Sequence, residues 1–322
     1  MEPTLVVSTS PHIHTKDSIP RIMWCVVISL LPAGAMGVWI FGLHALWVIL
    51  TCVVAAVLTE VVGQKFIFGK PVTIHDGSAV VTGLLLAYTL PPGLPLWAAG
   101  VGSVFAIFIA KLVFGGLGYN IFNPALIGRA VLLAAWPQQM TTWTAPFASA
   151  GPAPDALSCA SPLAIVKALA AGGTALTTPG TGLPSVLDMF FGRCAGCIGE
   201  ISAIALLGGA IFLFIRKIIT WHTPLTFIGT VAIMSFLFGR NPLFEIFAGG
   251  LFLGAFFMAT DMVTVPITGW GKIIFGIGAG VLTALIRNVG GYPEGVCYSI
   301  LLMNAITPHI DRVTMPKKFG AR

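Results

Sequence analysis

Long apolar segments follow one another along almost the whole chain, separated by short polar or glycine-rich turns. Six of them approach the roughly 20 residues that a helix needs to cross a bilayer: 22–40, 44–63, 94–114, 201–219, 223–239 and 271–287. Four others are shorter or interrupted by glycine: 79–90, 125–136, 244–259 and 296–306. This pattern predicts an all-α integral membrane protein with about ten transmembrane segments.

The four short segments indicate an internal binding site. Non-helical backbone at membrane depth is tolerated only where it is buried in protein or lines a cavity. Several short or glycine- and proline-broken helices in one chain therefore favour a site inside the protein over a plain helix bundle.

The two halves of the chain resemble each other around these short segments. In the first half, 82–87 leads through a full span to the glycine-rich turn 115–120. In the second half, 253–259 leads through a full span to 290–293. Five segments per half predict two inverted five-helix repeats, which hold their site between the halves; chance similarity of apolar stretches is the alternative. The predicted division is a first membrane repeat (1–136), a polar connection (137–200) and a second membrane repeat (201–322).

Composition narrows the class of protein further. The 322 residues are 57% hydrophobic and only 9% charged, with a mean hydropathy of +0.95. Soluble domains carry about 25% charged residues. A soluble enzyme, a nucleic-acid-binding module and a disordered scaffold are therefore excluded, and the lipid bilayer is the expected surrounding.

The positive charges predict the orientation. With ten segments and the N-terminus inside, only Lys167, Arg193, Arg240 and Arg287 fall on the outer side. The other 13 of the 17 basic residues fall at or near the cytoplasmic side, where such residues accumulate: Lys16, Arg21, Lys65, Lys70, Lys111, Arg129, Arg216, Lys217, Lys272, Arg312, Lys317, Lys318 and Arg322. Both termini are thus predicted in the cytoplasm, and 137–200 on the outer face of a prokaryotic inner membrane.

Four acidic residues lie inside or at the edges of apolar segments: Glu60, Glu245, Asp261 and Glu294. An ionisable group at that depth costs about 2.5–3.5 kcal/mol on insertion scales, so it usually faces a cavity or a partner. They are candidates for an ion or proton path. The alternative is that they are interfacial or paired with Lys or Arg.

Two polar motifs open short segments. Asp76 and Ser78 precede 79–90 and are expected to cap a helix. Asn120 and Asn123 stand beside aromatic residues before 125–136. Their amides suit the edge of a heteroaromatic ligand, while an Asn-Pro turn is the simpler interpretation.

The six cysteines are too few and too scattered for a disulfide framework. Cys194 and Cys197 form a CxxC in the connection. Ile198 follows instead of the His that haem attachment needs, and a second ligand pair for zinc is not evident. An outer-face disulfide and two ordinary loop thiols both stay open.

Several motifs together resemble those of the RnfD family, the membrane proteins of Rnf complexes that are related to NqrB of the sodium-pumping NADH:quinone reductase. In the first half these are Asp76-Gly77-Ser78-Ala79, Thr82-Gly83-Leu84-Leu85-Leu86-Ala87 and Asn120-Ile121-Phe122-Asn123-Pro124-Ala125. In the second half they are Met258-Ala259-Thr260-Asp261, Tyr292-Pro293-Glu294-Gly295-Val296 and Asn304. The resemblance covers nearly the whole chain.

The resemblance implies a flavin-carrying subunit of an ion-translocating ferredoxin:NAD oxidoreductase. Members carry FMN joined through its phosphate to a threonine, in a Ser/Thr-x-Ala-Thr motif after an aspartate, and riboflavin within the membrane part. Here Asp155, Ser158 and Ser161 match that motif, with Ser161 in place of the threonine. A serine hydroxyl can form the same phosphoester, although the transferase that attaches FMN has a different side chain to recognise. Thr82, Asn120 and Asn123, on the other motifs, are the further flavin-binding candidates.

The resemblance also implies partners. They are the membrane iron–sulfur and FMN subunits and the peripheral subunits on the NAD and ferredoxin sides. This chain has no nucleotide-binding glycine-rich loop and no iron–sulfur cysteine cluster, so it is expected to act in electron and Na⁺ or H⁺ transport only within that complex. The alternatives are a flavin-free inverted-repeat transporter or channel, and a structural membrane subunit without FMN.

Overall fold

The computed structural model describes residues 17–147, 158–170, 183–292 and 294–316. These residues form fourteen α-helices and one pair of two-residue strands. The helices are α1 (Ile19–Phe41), α2 (Leu43–Val62), α3 (Ser78–Tyr88), α4 (Leu96–Val104), α5 (Pro124–Ala135), α6 (Pro137–Thr141), α7 (Pro162–Ala170), α8 (Val186–Phe191), α9 (Ala203–Ile215), α10 (His222–Leu237), α11 (Pro242–Phe247), α12 (Leu251–Leu253), α13 (Gly269–Asn288) and α14 (Val296–Thr314). The strands β1 (Trp143–Thr144) and β2 (Ser158–Cys159) pair antiparallel.

Three helices continue in wider π-helical turns. Gly63–Ile67 extends α2, Phe105–Leu112 extends α4 and Gly254–Met258 extends α12. A 3₁₀ turn, Ile74–Asp76, precedes α3. π turns are uncommon and occur often at functional sites, and two of these three contribute residues to a cavity described below.

The all-α membrane architecture is confirmed. By length and composition, Ile19–Phe41, Leu43–Ile67 and Gly269–Asn288 suffice to cross a membrane, and five shorter apolar helices accompany them. Large apolar side chains such as Trp39 and Leu43 are exposed on the outside. An apolar exterior is what a protein in lipid requires, because lipid tails are as apolar as leucine.

The two halves share one succession of helices. In the first half, α2 packs against α3 and α4, and α3 against α5. In the second half, α10 packs against α13, and α14 against the π turn that extends α12. The first helix of each half, α1 and α9, pack against each other. One large apolar core therefore runs through both halves.

Two segments differ from the predicted pattern. The segment 244–259 is divided into α11 and α12, and Gly249 between them has φ 68°, a conformation that favours glycine. The segment 296–306 is the start of a longer helix, α14, which continues to Thr314. Polar residues after 306 hide that extension from hydropathy, although they do not stop a helix from forming.

The connection enters the body of the protein. It contains α6, α7 and α8, which the sequence pattern did not indicate. The backbone N–H groups of Ile198 and Gly199 donate to the carbonyls of Leu90 and Tyr88. Both residues are buried, so the last part of the predicted outer connection packs against the end of α3.

Candidate functional site

A cavity with an empty volume of about 800 Å³ lies between the two halves. Its wall comes from the start of α1, from α3, from the turn before α5 and from residues 256–263. We call it the large cavity. Most of its lining is apolar, and its polar lining residues are Ser78, Thr82, Lys111, Asn120, Asn123, Thr260 and Asp261. Four predicted site residues, Thr82, Asn120, Asn123 and Asp261, are thus brought together.

Asn123 connects a helix end to this cavity. Its Oδ1 accepts the N–H groups of Ala125 and Leu126, so it caps α5 as an Asn-Pro turn predicts. Its Nδ2 donates to the carbonyl of Met258 across the cavity wall at 3.5 Å. Asn120 donates to the carbonyl of Phe122 and remains on the lining. Asn123 therefore caps α5 and lines the large cavity at the same time.

Asp261 differs from the other three predicted acidic residues. Its carboxylate accepts the N–H of Val263 and the hydroxyl of Thr264, both at 3.3 Å. Among the described residues it forms no ion pair, whereas Glu60, Glu245 and Glu294 all do. Asp261 therefore lines the large cavity without a cationic partner among the described residues.

Glu60 is paired with Lys111 beside the same cavity. The Lys111 ammonium donates to both oxygens of Glu60, at 2.7 and 2.9 Å, and to the hydroxyl of Ser78 at 2.6 Å. Lys111 and Glu60 are 2% and 1% exposed. Asp76 in turn accepts the N–H and the hydroxyl of Ser78. The N-cap of α3 is Gly77 and not Asp76 or Ser78 as predicted, because Ser78 is already the first helical residue, although Asp76 still accepts the first N–H of the helix. The pair fixes the entry of α3 against α2 and α4.

Replacing Lys111 with methionine should leave Glu60 buried without a cation. Removing one partner of a buried ion pair costs about 3–5 kcal/mol, whereas replacing both is often close to neutral. We expect Lys111→Met to lower the thermal stability of the purified protein strongly and the double variant with Glu60→Gln to recover at least half of the loss. Lys70→Met is the control, because among the described residues the Lys70 ammonium donates only to the carbonyl of Gly115, at the surface. A double variant as unstable as Lys111→Met would contradict this account.

The second half has a comparable pair. Arg287, near the end of α13, donates to Glu245 Oε2 at 3.0 Å and to the carbonyls of Glu245 and Ala248. Arg240 donates to the other oxygen of Glu245 at 3.1 Å. In both halves a basic residue near the end of the fourth segment thus binds a buried glutamate and one end of a short helix, the start of α3 in the first half and the end of α11 in the second. The sequence left open whether Glu60 and Glu245 belong to an ion path or are paired with Lys or Arg, and in the structure both are paired with basic residues.

A third charge cluster joins the halves to the connection. Arg129, on α5, donates to Glu200 Oε1 at 3.3 Å, to Cys197 Sγ at 3.4 Å and to Glu294 Oε2. It also donates to the carbonyl of Thr89. We call Arg129, Glu200, Glu294 and Cys197 the Arg129 cluster. The sequence grouped Arg129 with the charges at the cytoplasmic side, whereas the structure buries it against the connection, where two carboxylates hold it.

A smaller cavity, with an empty volume of about 360 Å³, lies next to the Arg129 cluster. We call it the small cavity. Its lining includes Ser161, Cys194, Glu200, Gly249 and Glu294. Ser161 and Glu294, which the sequence singled out for different reasons, therefore share one cavity.

Ser161 stands at the start of α7. Its hydroxyl oxygen accepts the N–H of Ala164 at 3.2 Å, and the side chain is buried on the small cavity. Ser158 belongs to β2, where it pairs with Thr144. Asp155, the third residue of the predicted attachment motif, lies outside the described residues.

Cys194 and Cys197 are free thiols. Burial raises the pKa of Cys194 to about 12 and raises the pKa of Cys197 well above its usual range. Both are therefore neutral thiols at physiological pH, and Cys197 accepts a hydrogen bond from Arg129. The sequence left open a disulfide between Cys194 and Cys197 or two ordinary thiols, and in this structure they are two unpaired thiols.

Three residues of these sites were not predicted as such: Lys111, Arg129 and Glu200. The first two interrupt the apolar segments 94–114 and 125–136, and a basic residue inside such a segment is itself a signal for a buried partner. Glu200 carries no such signal, since it lies at the end of a polar connection. Only the folded chain places it beside Arg129.

Comparisons with known proteins agree with the motif resemblance. A sequence model of the NQR2, RnfD, RnfE family matches residues 6–320. The chain is 51% identical over 323 residues to the RnfD protein of the proton-translocating ferredoxin:NAD(+) oxidoreductase complex of Clostridium ljungdahlii, covering 98% of this chain and 96% of that protein. It is 49% identical to the counterpart from the Na(+)-translocating complex of Acetobacterium woodii, covering 99% and 96%. It is 38% identical to the corresponding protein of the ion-translocating oxidoreductase complex of Stutzerimonas stutzeri, covering 95% and 93%.

Proposed function

This chain belongs to the NQR2, RnfD, RnfE family, and from that premise we propose that it is the flavin-carrying membrane subunit of an ion-translocating ferredoxin:NAD oxidoreductase complex. Its relatives in Clostridium ljungdahlii and Acetobacterium woodii are named as subunits of such complexes, one translocating protons and the other sodium ions. In this proposal the subunit relays electrons between FMN and riboflavin and couples the relay to Na⁺ or H⁺ transport. It acts as part of the assembled enzyme and does not catalyse the overall reaction alone.

The observation that carries the flavin proposal is the large cavity. A planar heteroaromatic ring needs an apolar slot with a few polar groups to fix its orientation. The cavity offers apolar walls from both halves and polar groups from Thr82, Asn120 and Asn123. Its empty volume of about 800 Å³ falls in the usual range of cofactor sites. We assign riboflavin to this cavity.

We assign FMN to the small cavity, attached through Ser161. The Ser161 side chain lines the cavity, and the start of α7 supplies backbone N–H groups of the kind that bind phosphate. Pro162, the first residue of α7, has no N–H to offer a phosphate. The N–H of Ala164 points at the attachment site, since it donates to the Ser161 hydroxyl oxygen. When bound, the flavins supply the electron-carrying chemistry. The residues of this chain position them, and the buried arrangement excludes water.

The two cavities lie towards opposite ends of α1. Ile22 and Met23, near its start, line the large cavity. Near its other end, Ile40 accepts a backbone hydrogen bond from Phe147, so the connection that leads to Ser161 approaches that end. This separation supports a placement of the start of α1 and the connection on opposite faces of the membrane. With the excess of basic residues on one side, we propose a prokaryotic inner membrane, both termini cytoplasmic and 137–200 on the outer face. The expected partners are the membrane iron–sulfur and FMN subunits and the peripheral NAD- and ferredoxin-side subunits.

The proposal is tested on Ser161 in the assembled complex. We expect the wild-type chain, after denaturing electrophoresis, to fluoresce as a flavoprotein, and the peptide containing Ser161 to carry the mass of FMN. Ser161→Ala should abolish both signals, because no hydroxyl remains to form the phosphoester. The same variant should retain a flavin that is released on denaturation, because the large cavity is unchanged.

Ser161→Thr is the matched control, since it restores the residue type that family members use and should keep the fluorescent band. Fluorescence retained by denatured Ser161→Ala would move the attachment to another residue. A wild-type complex in which this chain binds no flavin, covalent or released, would favour the flavin-free transporter or structural subunit.

A further inference from the structure

Glu200, a member of the Arg129 cluster, has one buried carboxylate oxygen without a hydrogen-bond partner among the described residues. Oε1 accepts a hydrogen bond from Arg129. Oε2 is buried and has no hydrogen-bond partner among the described residues. The side chain is 6% exposed and forms part of the wall of the small cavity. An unpaired carboxylate oxygen in such a place is costly unless it binds a proton or a cation.

Gly250 leaves room for the Glu200 carboxylate because it has no side chain. A Cβ atom at Gly250 would lie 2.4 Å from Oε1 and 3.1 Å from Oε2 of Glu200. Any larger residue would therefore displace the carboxylate. The break between α11 and α12 thus serves a second purpose, which is to leave room for Glu200 at the edge of the cavity.

The charges around Glu200 favour proton uptake. Arg129 is its only bonded cation among the described residues, and Glu294 shares the same guanidinium. Arg287 also acts on Glu200, but its own hydrogen bonds go to Glu245 and Ala248. Two carboxylates and one guanidinium leave one uncompensated negative charge in the cluster.

Burial is the largest influence on this carboxyl group. Together with the negative charge of Glu294 it raises the pKa of Glu200 to about 7, although Arg129, the nearby Cys197 thiol and Arg287 act in the opposite direction. Cys194, which also lines the small cavity, is a neutral thiol at physiological pH because burial raises its pKa to about 12. The group therefore changes its protonation in the physiological range.

A metal ion is a poorer occupant. One ligand atom each from Cys197, Glu200 and Glu294 lies within 4.8 Å of the others. However, the Arg129 guanidinium donates to all three side chains. A permanent positive charge already occupies the position from which a metal would have to bind them.

We propose that Glu200 is a proton-binding site of the small cavity: Arg129 holds one carboxylate oxygen, and the other binds and releases a proton that exchanges with the cavity. This assignment goes beyond the flavin proposal and stands whether or not a flavin is bound. It gives the outer part of the protein a group that changes charge at the junction of both halves and the connection.

Dicyclohexylcarbodiimide provides the test, because it reacts with protonated carboxyl groups in apolar surroundings. The carboxylic acid O–H adds across one C=N bond to give an O-acylisourea, and the acyl group then migrates to nitrogen as a stable N-acylurea. No oxidant or further reactant is needed, and the peptide gains the mass of one carbodiimide. The wild-type complex is labelled at a series of pH values and the peptide containing Glu200 is analysed by mass spectrometry.

We expect labelling of Glu200 to fall about tenfold between about pH 6 and about pH 8, as for one group with a pKa of about 7. Glu60 is the internal control in the same sample. Both of its oxygens accept from Lys111, so it should stay unlabelled throughout. Glu200→Gln should remove the label from this peptide, and Glu200→Asp should retain it if the complex assembles.

Three results would overturn the assignment. The first is a Glu200 that stays unlabelled at low pH in the native complex but becomes labelled after denaturation. The second is labelling at Glu294 in its place. The third is protection by Na⁺ relative to K⁺ at equal pH and ionic strength, which would identify a sodium site instead. All three are measured on wild-type protein, so they do not depend on the folding of a variant.

Discussion

Arg129→Gln is expected to remove most of the folded protein from the membrane. The substitution leaves Glu200 and Glu294 facing each other in a buried site without their shared cation. Breaking a buried ion pair by removing one partner costs about 3–5 kcal/mol, and two pairs are broken here. A loss of that size is a large fraction of the 5–15 kcal/mol or so that stabilises typical domains.

The measurement is the amount of full-length chain in membranes, followed by its thermal unfolding in detergent. Arg21→Gln is the matched control. Arg21 is half exposed and pairs with Asp17 at 4.0 Å on the surface of α1, an interaction of at most about 1 kcal/mol. Equal loss in both variants would mean that the Arg129 cluster does not stabilise the junction between the halves.

Gly209→Ala should separate the two halves where α1 and α9 cross. A Cβ at Gly209 would lie 2.1 Å from the carbonyl oxygen of Ser29, which is backbone and cannot rotate away. Small residues at such crossings let helix backbones approach each other. Overpacking a well-packed contact costs about 1–3 kcal/mol, and here the backbone itself must move, so we expect a cost at the upper end.

Gly208→Ala is the control for that substitution. Gly208 precedes Gly209 on the same helix, but a Cβ there would meet no atom within 4 Å. Alanine favours helix by up to about 1 kcal/mol over glycine, so Gly208→Ala should be neutral or slightly stabilising. Thermal unfolding of both variants in detergent distinguishes them. If Gly209→Ala is as stable as Gly208→Ala, the crossing is looser than the structure shows.

Much of the architecture could be predicted from hydropathy. The segment 22–40 became Ile19–Phe41, and 271–287 became Gly269–Asn288. Hydropathy failed for the end of α14, where Asn304, Thr307 and Asp311 lie on a helix that continues to Thr314. Helix formation depends on backbone hydrogen bonds, so polar residues at a helix end do not reveal where it stops.

The candidate sites could be predicted only in part. Thr82, Asn120, Asn123 and Asp261 were singled out from separate motifs, and the large cavity brings them together. Ser161 was expected at an attachment site and lies on the small cavity beside Glu294. The roles of these residues towards flavins stay predictions. Glu200 was missed because its charged neighbours in the cluster, Arg129 and Glu294, are 71 and 94 residues away along the chain.

The sequence by itself determined the environment of this protein, the position of nearly all its long helices and its family. Each of these follows from local composition or from short motifs, because the transfer of a helix into lipid is nearly a sum over its own residues. The tertiary structure alone decided which charges neutralise each other, that Arg129 joins both halves to the connection, and that one buried oxygen of Glu200 has no hydrogen-bond partner among the described residues. Those outcomes depend on contacts between distant segments, because the energy of a buried charge is set by the partner that folding brings to it.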